Sequence, residues 1–181
     1  MFDTQTAPQL VTVDMLEDHQ MPGPYTETDV AIASALVRGA CGWHIAPSVA
    51  VELELDSDGG TLLVLPSLHL SSVNKVTDRH GNVLEGWEAS RKGMLYRSAG
   101  WPAGFGAVVV HAEHGLPEVP LEIVAVVADL ARSRTATGMR PTDLKSRKVG
   151  EVTYSYLTPA DSPTDDPLRA YRHVLWRFVL P

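Results

Sequence analysis

Five histidines, His44, His69, His80, His111 and His114, fall in the middle of the 181-residue chain. His111 and His114 form a His-x-x-His pair that, with a nearby acid, would begin a metal-dependent hydrolase. A zinc site needs three or four ligands at matched spacing, so the pair alone is a weak signal. A strand end followed by a turn explains it equally well. Cys41 and His44 stand at the same spacing and suggest a nucleophile with its base. Yet Cys41 lies beside the apolar face of a predicted helix, where a free cysteine behaves as a small hydrophobe. No oxyanion-hole motif accompanies it. Glu52, Glu54 and Asp56 alternate along one stretch. Paired acids serve glycoside hydrolysis, but a solvated strand face is the simpler account. Gly100-x-x-x-Gly104-x-Gly106 lacks the strand–loop–helix order and the Lys-Ser/Thr ending of a phosphate loop.

Three stretches suit binding better than catalysis. Trp87, Trp101 and Phe105, with the glycines between them, offer either a stacking platform for sugars or bases, as in a glycan-binding accessory module, or a plug for one end of a β region. Arg140, Lys145, Arg147 and Lys148 form a basic cluster that suits phosphates or the acidic strand face, Glu52 and Glu54, of a neighbouring copy. The second use fits a chain of net charge −7. The ending is the third. Leu168, Tyr171, Leu175 and Phe178 would share one helical face, and Arg169, His173 and Arg177 another. With Trp176 this is too much apolar area for a solvated end, and such patches mark docking, either on the chain's own domain or on a partner.

The totals bound these readings. The length fits one domain, and 44% hydrophobic residues suffice for a core. The acidic balance argues against a basic nucleic-acid-binding surface. One cysteine rules out an internal disulfide framework and fits a reducing compartment. No secretory signal and no apolar run of about 18 residues is visible. The expectation is a cytoplasmic chain without membrane contact.

The elements that must position these residues follow from periodicity. Residues 1–10 read as a flexible end. Thr12 caps a short helix over about 12–20, and Thr26 with Asp29 resembles a capping box for a second over about 28–42. Val37 lies on its apolar face, and Trp43 follows its end. From Val49 the period changes to two, and a β region extends over about 49–113. Asp58-Gly59-Gly60 has the chemistry of a hairpin turn, with a returning strand over 62–65. Further strands are expected over 68–76, at 83–84 after a Gly81-Asn82 turn, and as a strand pair, 94–96 and 107–111. The longest helix, over about 117–134, starts at Pro117 or Pro120. Ile123, Val127 and Leu130 lie on its stripe. A helix apolar around most of its circumference must be enclosed by other elements or other subunits. A strand over 149–157, a linker over 158–166 and the docking segment over 167–181 complete the chain. The expected class is α+β: a small helical bundle with an inserted antiparallel β region and an extended C-terminal tail.

Several runs carry a resemblance. Val37-Arg38-Gly39-Ala40-Cys41-Gly42-Trp43-His44-Ile45-Ala46-Pro47 resembles the end of the first long helix in head-to-tail adaptor (connector) proteins of tailed phages infecting actinobacteria. Leu65-Pro66-Ser67-Leu68-His69-Leu70, Gly100-Trp101-Pro102, Val108-Val109-Val110 with His114-Gly115, the helix over 119–132 and Val149-Gly150-Glu151-Val152 are similar in the same order. So is the ending from Tyr171-Arg172 to Leu180-Pro181. The match covers most of the chain from about Val11. The resemblance implies a non-enzymatic virion protein without cofactor. It would form a ring, usually of twelve copies, under the portal. It would extend the DNA channel, through which double-stranded DNA passes without specific contact, and dock the stopper or tail. It would sit in the virion neck after assembly in the host cytoplasm. The implied portal-docking residues are Leu168, Arg169, Tyr171, Arg172, Leu175, Trp176, Arg177 and Phe178. The segment 11–157 would be the adaptor core.

Overall fold

The computed structural model describes residues 8–138, 146–149, 152–155 and 166–180, with side chains over 8–136 and 166–180. The fold is α+β. Helices α1 (Val13–Asp18), α2 (Glu27–Cys41) and α3 (Leu121–Gly138) form one layer. Six strands inserted between α2 and α3 form the other.

Thr12 caps α1 by accepting from the Met15 N–H at 3.3 Å. Thr26 caps α2 by accepting from the Asp29 N–H at 3.0 Å. The box is closed differently from the usual arrangement, because Asp is too short to reach back to the cap N–H. The Asp29 carboxylate accepts instead from the Thr26 hydroxyl at 2.8 Å. It also accepts from the Thr135 hydroxyl at 2.8 Å and pairs with Arg134 at 3.3 Å. One acid thus ties the start of α2 to the end of α3, so the two helices run antiparallel. The Pro120 carbonyl accepts from Ile123 and Val124 at the start of α3.

Val30, Ala33, Val37, Cys41 and Trp43 are buried against Ile123, Val127, Leu130 and Ala131. Leu10, Val11 and Leu16 join the same core. Of the stretch 1–10 expected as a flexible end, Leu10 is fully buried, and residues 1–7 lie outside the described residues.

The strands are β1 (Val49–Ser57), β2 (Leu62–Val64), β3 (Leu70–Asp78), β4 (Trp87–Ser90), β5 (Met94–Arg97) and β6 (Gly104–His114). They form two antiparallel sheets in the orders β1-β6-β3 and β2-β5-β4. The sheets share a core of Leu53, Val76, Val108, Val110, Leu63, Leu65, Leu95 and Trp101. Two expectations are corrected here. The turn at Asp58-Gly59-Gly60 does not make a hairpin, because β1 pairs with β6 and β2 with β5. Nor do β5 and β6 pair, since each is the central strand of a different sheet. Both connections therefore cross between sheets, and Leu63 and Leu95 bring the second sheet into the shared core. The strand expected at 83–84 is reduced to a bridge between Thr77 and Val83, and β4 lies beyond it.

After α3, the expected strand over 149–157 is instead part of a ribbon of β7 (Ser146–Val149) and β8 (Val152–Ser155). Residues 156 and 157, Arg140, Lys145 and the linker over 158–165 lie outside the described residues. Arg147 and Lys148 stand on β7.

The two layers meet at one turn. Gly42 ends α2 in the left-handed region (φ 77°). Ile45 follows at φ 68°, a conformation that opposes a β-branched residue. It is held there by Arg38, whose Nε donates to the His44 carbonyl at 2.9 Å and whose Nη2 donates to the Ala46 carbonyl at 2.7 Å. The Ile45 carbonyl accepts from the Leu116 N–H at 2.7 Å, just after β6. Gly115 (φ 103°) leaves no room for a side chain, since a Cβ there would stand 2.8 Å from the Pro47 carbonyl oxygen. Entry to and exit from the β region are therefore fastened together. Replacing Arg38 by Met keeps the stem and removes both donors. The expected loss, read by chemical denaturation, is about 2 kcal/mol; a loss within ~0.5 kcal/mol would contradict the clamp.

Candidate functional site

The C-terminal segment is a short compound helix: a 3-10 turn over Arg169–Tyr171, α4 (Arg172–Leu175) and a second 3-10 turn over Trp176–Phe178. Asp166 Oδ1 accepts from the Leu168 N–H at 2.9 Å, and its other oxygen pairs with Arg172 at 2.6 Å. Those contacts, a backbone hydrogen bond and the Arg172 charge, hold the Asp166 carboxyl below its ordinary range.

The segment folds back on the helical layer. Leu175 is buried in the helical core. Leu168, Tyr171, Val174 and Phe178 pack half-buried around it. The Trp43 indole N–H donates to the Phe178 carbonyl at 2.6 Å, and the Leu180 N–H donates to the Cys41 carbonyl at 2.9 Å. Arg177 pairs with Glu122 of α3 at 3.1 Å. The tail thus adds to the cover of the helical core, held by Cys41 and Trp43 at the end of α2 and by Glu122 of α3. Burial raises the Tyr171 phenol, and Asp129 of α3 adds to that.

The implied docking residues accordingly divide. Leu175 is used by the fold, with Leu168, Tyr171 and Phe178 partly so. Arg169, Arg172, Arg177 and Trp176 face outward, with Trp176 68% exposed. Val179 (40% exposed) and Leu121 (55% exposed) adjoin the Arg177–Glu122 pair in sequence and extend this apolar surface. Periodicity places Leu121 with Val124 and Ala128 on the widened apolar stripe of α3; Val124 and Ala128 are buried, but Leu121, in the first turn, is exposed.

The other constellations do not assemble. His111 and His114 lie three apart on β6, so they take opposite sheet faces. His111 Nδ1 stands 3.5 Å from Glu52 Oε2, its cross-strand partner on β1. His114 is buried and stacks on His44, with ring centroids 5.3 Å apart. Among the described residues no group of three or more His, Cys, Asp or Glu is placed to hold a metal ion. Cys41 is buried and burial pushes its thiol up to about 11, which removes the thiolate a nucleophile needs. His44 is occupied at Nε2 by the Pro47 carbonyl. Trp101 is buried with its indole N–H on the Thr61 carbonyl at 3.2 Å, while Phe105 is 86% exposed, so the aromatic residues form no common platform. Glu52, Glu54 and Asp56 are exposed along β1. Among the described residues no helix is long and apolar enough to cross a membrane.

No family model and no curated protein matches the chain. Solved structures similar in fold include two neck chains. A chain from the neck of a native GTA particle, computed with C12 symmetry, superposes at a TM-score of 0.61 with 14% identity, covering 97% of this chain and 92% of that one. A chain from the neck of an empty GTA particle, computed with C6 symmetry, gives 0.57 and 13%, covering 97% and 93%.

The histidine stack makes stability depend on pH. Burial, then the neighbouring His44, lowers the His114 imidazole from 6.5 to about 4. Burial and Arg38 lower His44 as well. The unfolded chain therefore binds more protons than the folded one between these values. Stability is full above pH 6.5 and falls as the pH drops towards 4, by about 3 kcal/mol from His114. In thermal unfolding from pH 7 to 4.5, His114→Gln should show a clearly shallower loss than the unaltered protein; equal slopes would contradict this assignment.

Proposed function

We propose that this chain is a structural neck protein, a head-to-tail adaptor that forms a ring between portal and tail. The observation that carries the reading is the end-to-end likeness to neck chains. It spans both layers and the C-terminal segment, so it is not a match to a common sub-motif. The residue runs that resemble those of actinophage adaptors point the same way from sequence. In this reading the protein is non-enzymatic. Its ring has twelve copies, extends the DNA channel beneath the portal, and presents the β region to the stopper or tail-side neck protein. An acidic subunit suits a conduit, since like charge keeps the wall from gripping the passing phosphates. The site of action is the virion neck, with assembly in the host cytoplasm.

The portal meets the outward face of the C-terminal segment, with Trp176 as anchor and Arg169, Arg172 and Arg177 around it. An exposed tryptophan framed by arginines has the composition of an interface hot spot. The inward residues of the same segment hold the fold. Removing 167–181 would therefore uncover Trp43 and α3 and destabilise the subunit, so point variants are the sharper probe. Trp176→Ala should change stability by less than about 0.5 kcal/mol and weaken binding to the portal of the same particle by tenfold or more. Leu175→Ala should cost about 3 kcal/mol of stability. Undiminished portal binding by Trp176→Ala combined with Arg172→Ala would overturn the docking assignment.

A further inference from the structure

The two margins of the sandwich differ. On one side, β3 is flanked by the chain that follows it. Val83 bridges to Thr77, the Leu84 N–H donates to the Val76 carbonyl at 2.9 Å, and the Leu70 N–H donates to the Arg91 carbonyl at 2.9 Å. Residues 83–91, β4 among them, thus run back along β3 and close that margin. β2, across β5 from β4, lies on the other side with β1. There β1 pairs only with β6 and β2 only with β5, so among the described residues this margin is open.

Charge divides the same way. Glu52 and Glu54 stand opposite His111 and Val109 on the outer face of the first sheet. With Asp56 they line the β1 margin with exposed acids, and β1 holds no Lys or Arg. The closed margin carries exposed cations: Lys75 on β3, and Arg91 and Lys92 in the turn between β4 and β5. Among the described residues none of the three pairs with a carboxylate. Asp78, the acid of β3, is engaged in its own turn by the His80 and Asn82 N–H groups. Glu85 and Glu88 lie between, so this margin is mixed in sign where the β1 margin is acidic alone. Like charges along an open edge keep two β1 strands from pairing with each other, but they attract a margin that offers cations.

We propose that the open β1 margin of one copy seats the closed β3 margin of the next, with Glu52, Glu54 and Asp56 facing Lys75, Arg91 and Lys92. This rests on the ring reading above. The order β1-β6-β3 sets the two margins on opposite sides of one sheet, so a copy cannot join its own pair and copies meet head to tail. Unlike surfaces make the contact heterologous, and it ends only by closing as a ring. Leu62 and Val64 on β2 (53% and 61% exposed) and Val83 beside β3 (58% exposed) add apolar area at the two margins.

The test is sedimentation of the full chain from micromolar to millimolar concentration at low salt, with thermal unfolding as a control that each variant is folded. The unaltered protein should self-associate, more weakly as salt rises. Glu52→Lys/Glu54→Lys and Arg91→Glu/Lys92→Glu should each weaken association about tenfold. An equimolar mixture of the two variants should associate again, because each margin of one then meets an opposite charge on the other. The four substitutions combined in one chain should likewise restore association. Unchanged affinity in both double variants, or a chain that stays monomeric at millimolar concentration and low salt, overturns the margin contact. The ring reading itself falls only if the portal of the same particle also gains no fixed number of copies.

Discussion

Arg38 holds two carbonyls of one turn, and the rest of the molecule converges on that turn. The stretch from Cys41 to Ala46 ends α2, reverses the chain through a left-handed isoleucine, and starts the β region. It also receives the exit from that region, through Leu116, and the end of the chain, through Phe178 and Leu180. An unfavourable backbone conformation persists only where the surroundings over-determine it. Here a forked guanidinium, a buried side chain and a hydrogen bond from the exit strand together do so. The helical layer and the sandwich are thereby joined by polar contacts around a buried histidine stack, with Leu68 and Leu116 packed against the helical core.

A tail that completes the chain's own core bears on the proposed docking. A freely tethered segment would lose conformational entropy on docking, whereas this one is already ordered by Leu175, Trp43 and the pairing with Glu122. Its outward residues are thus presented in fixed geometry. In the proposed ring, such pre-set contacts would repeat around the circumference, so modest single affinities would accumulate.

Much of the architecture was legible in the sequence because it is local. The caps at Thr12 and Thr26, the change of period at Val49 and the start of α3 at Pro120 all follow from near neighbours in the chain. The fold-back of the tail was not, because Trp43 and Phe178 meet across 135 residues. The sheet order was hidden for the same reason. Asp58-Gly59-Gly60 has good hairpin chemistry, yet long-range pairing of β1 with β6 prevails. Short β4, Trp-Glu-Ala-Ser, lacks the β-branched alternation that marks a strand. Among the surface residues, Glu52 and Glu54 were legible as a solvated face, whereas the outward half of the C-terminal helix emerged only once Leu175 was seen to be buried.

The proposed role is that of a ring-forming subunit of a particle neck. The most direct measurement is the mass of the assembly formed when the full-length protein is mixed with the portal of its own particle. The account predicts a portal complex that gains one complete ring, twelve copies on the proposed symmetry, and gains no further copies when the protein is in excess. A portal that gains nothing, or gains copies in proportion to concentration without a fixed number, would contradict it.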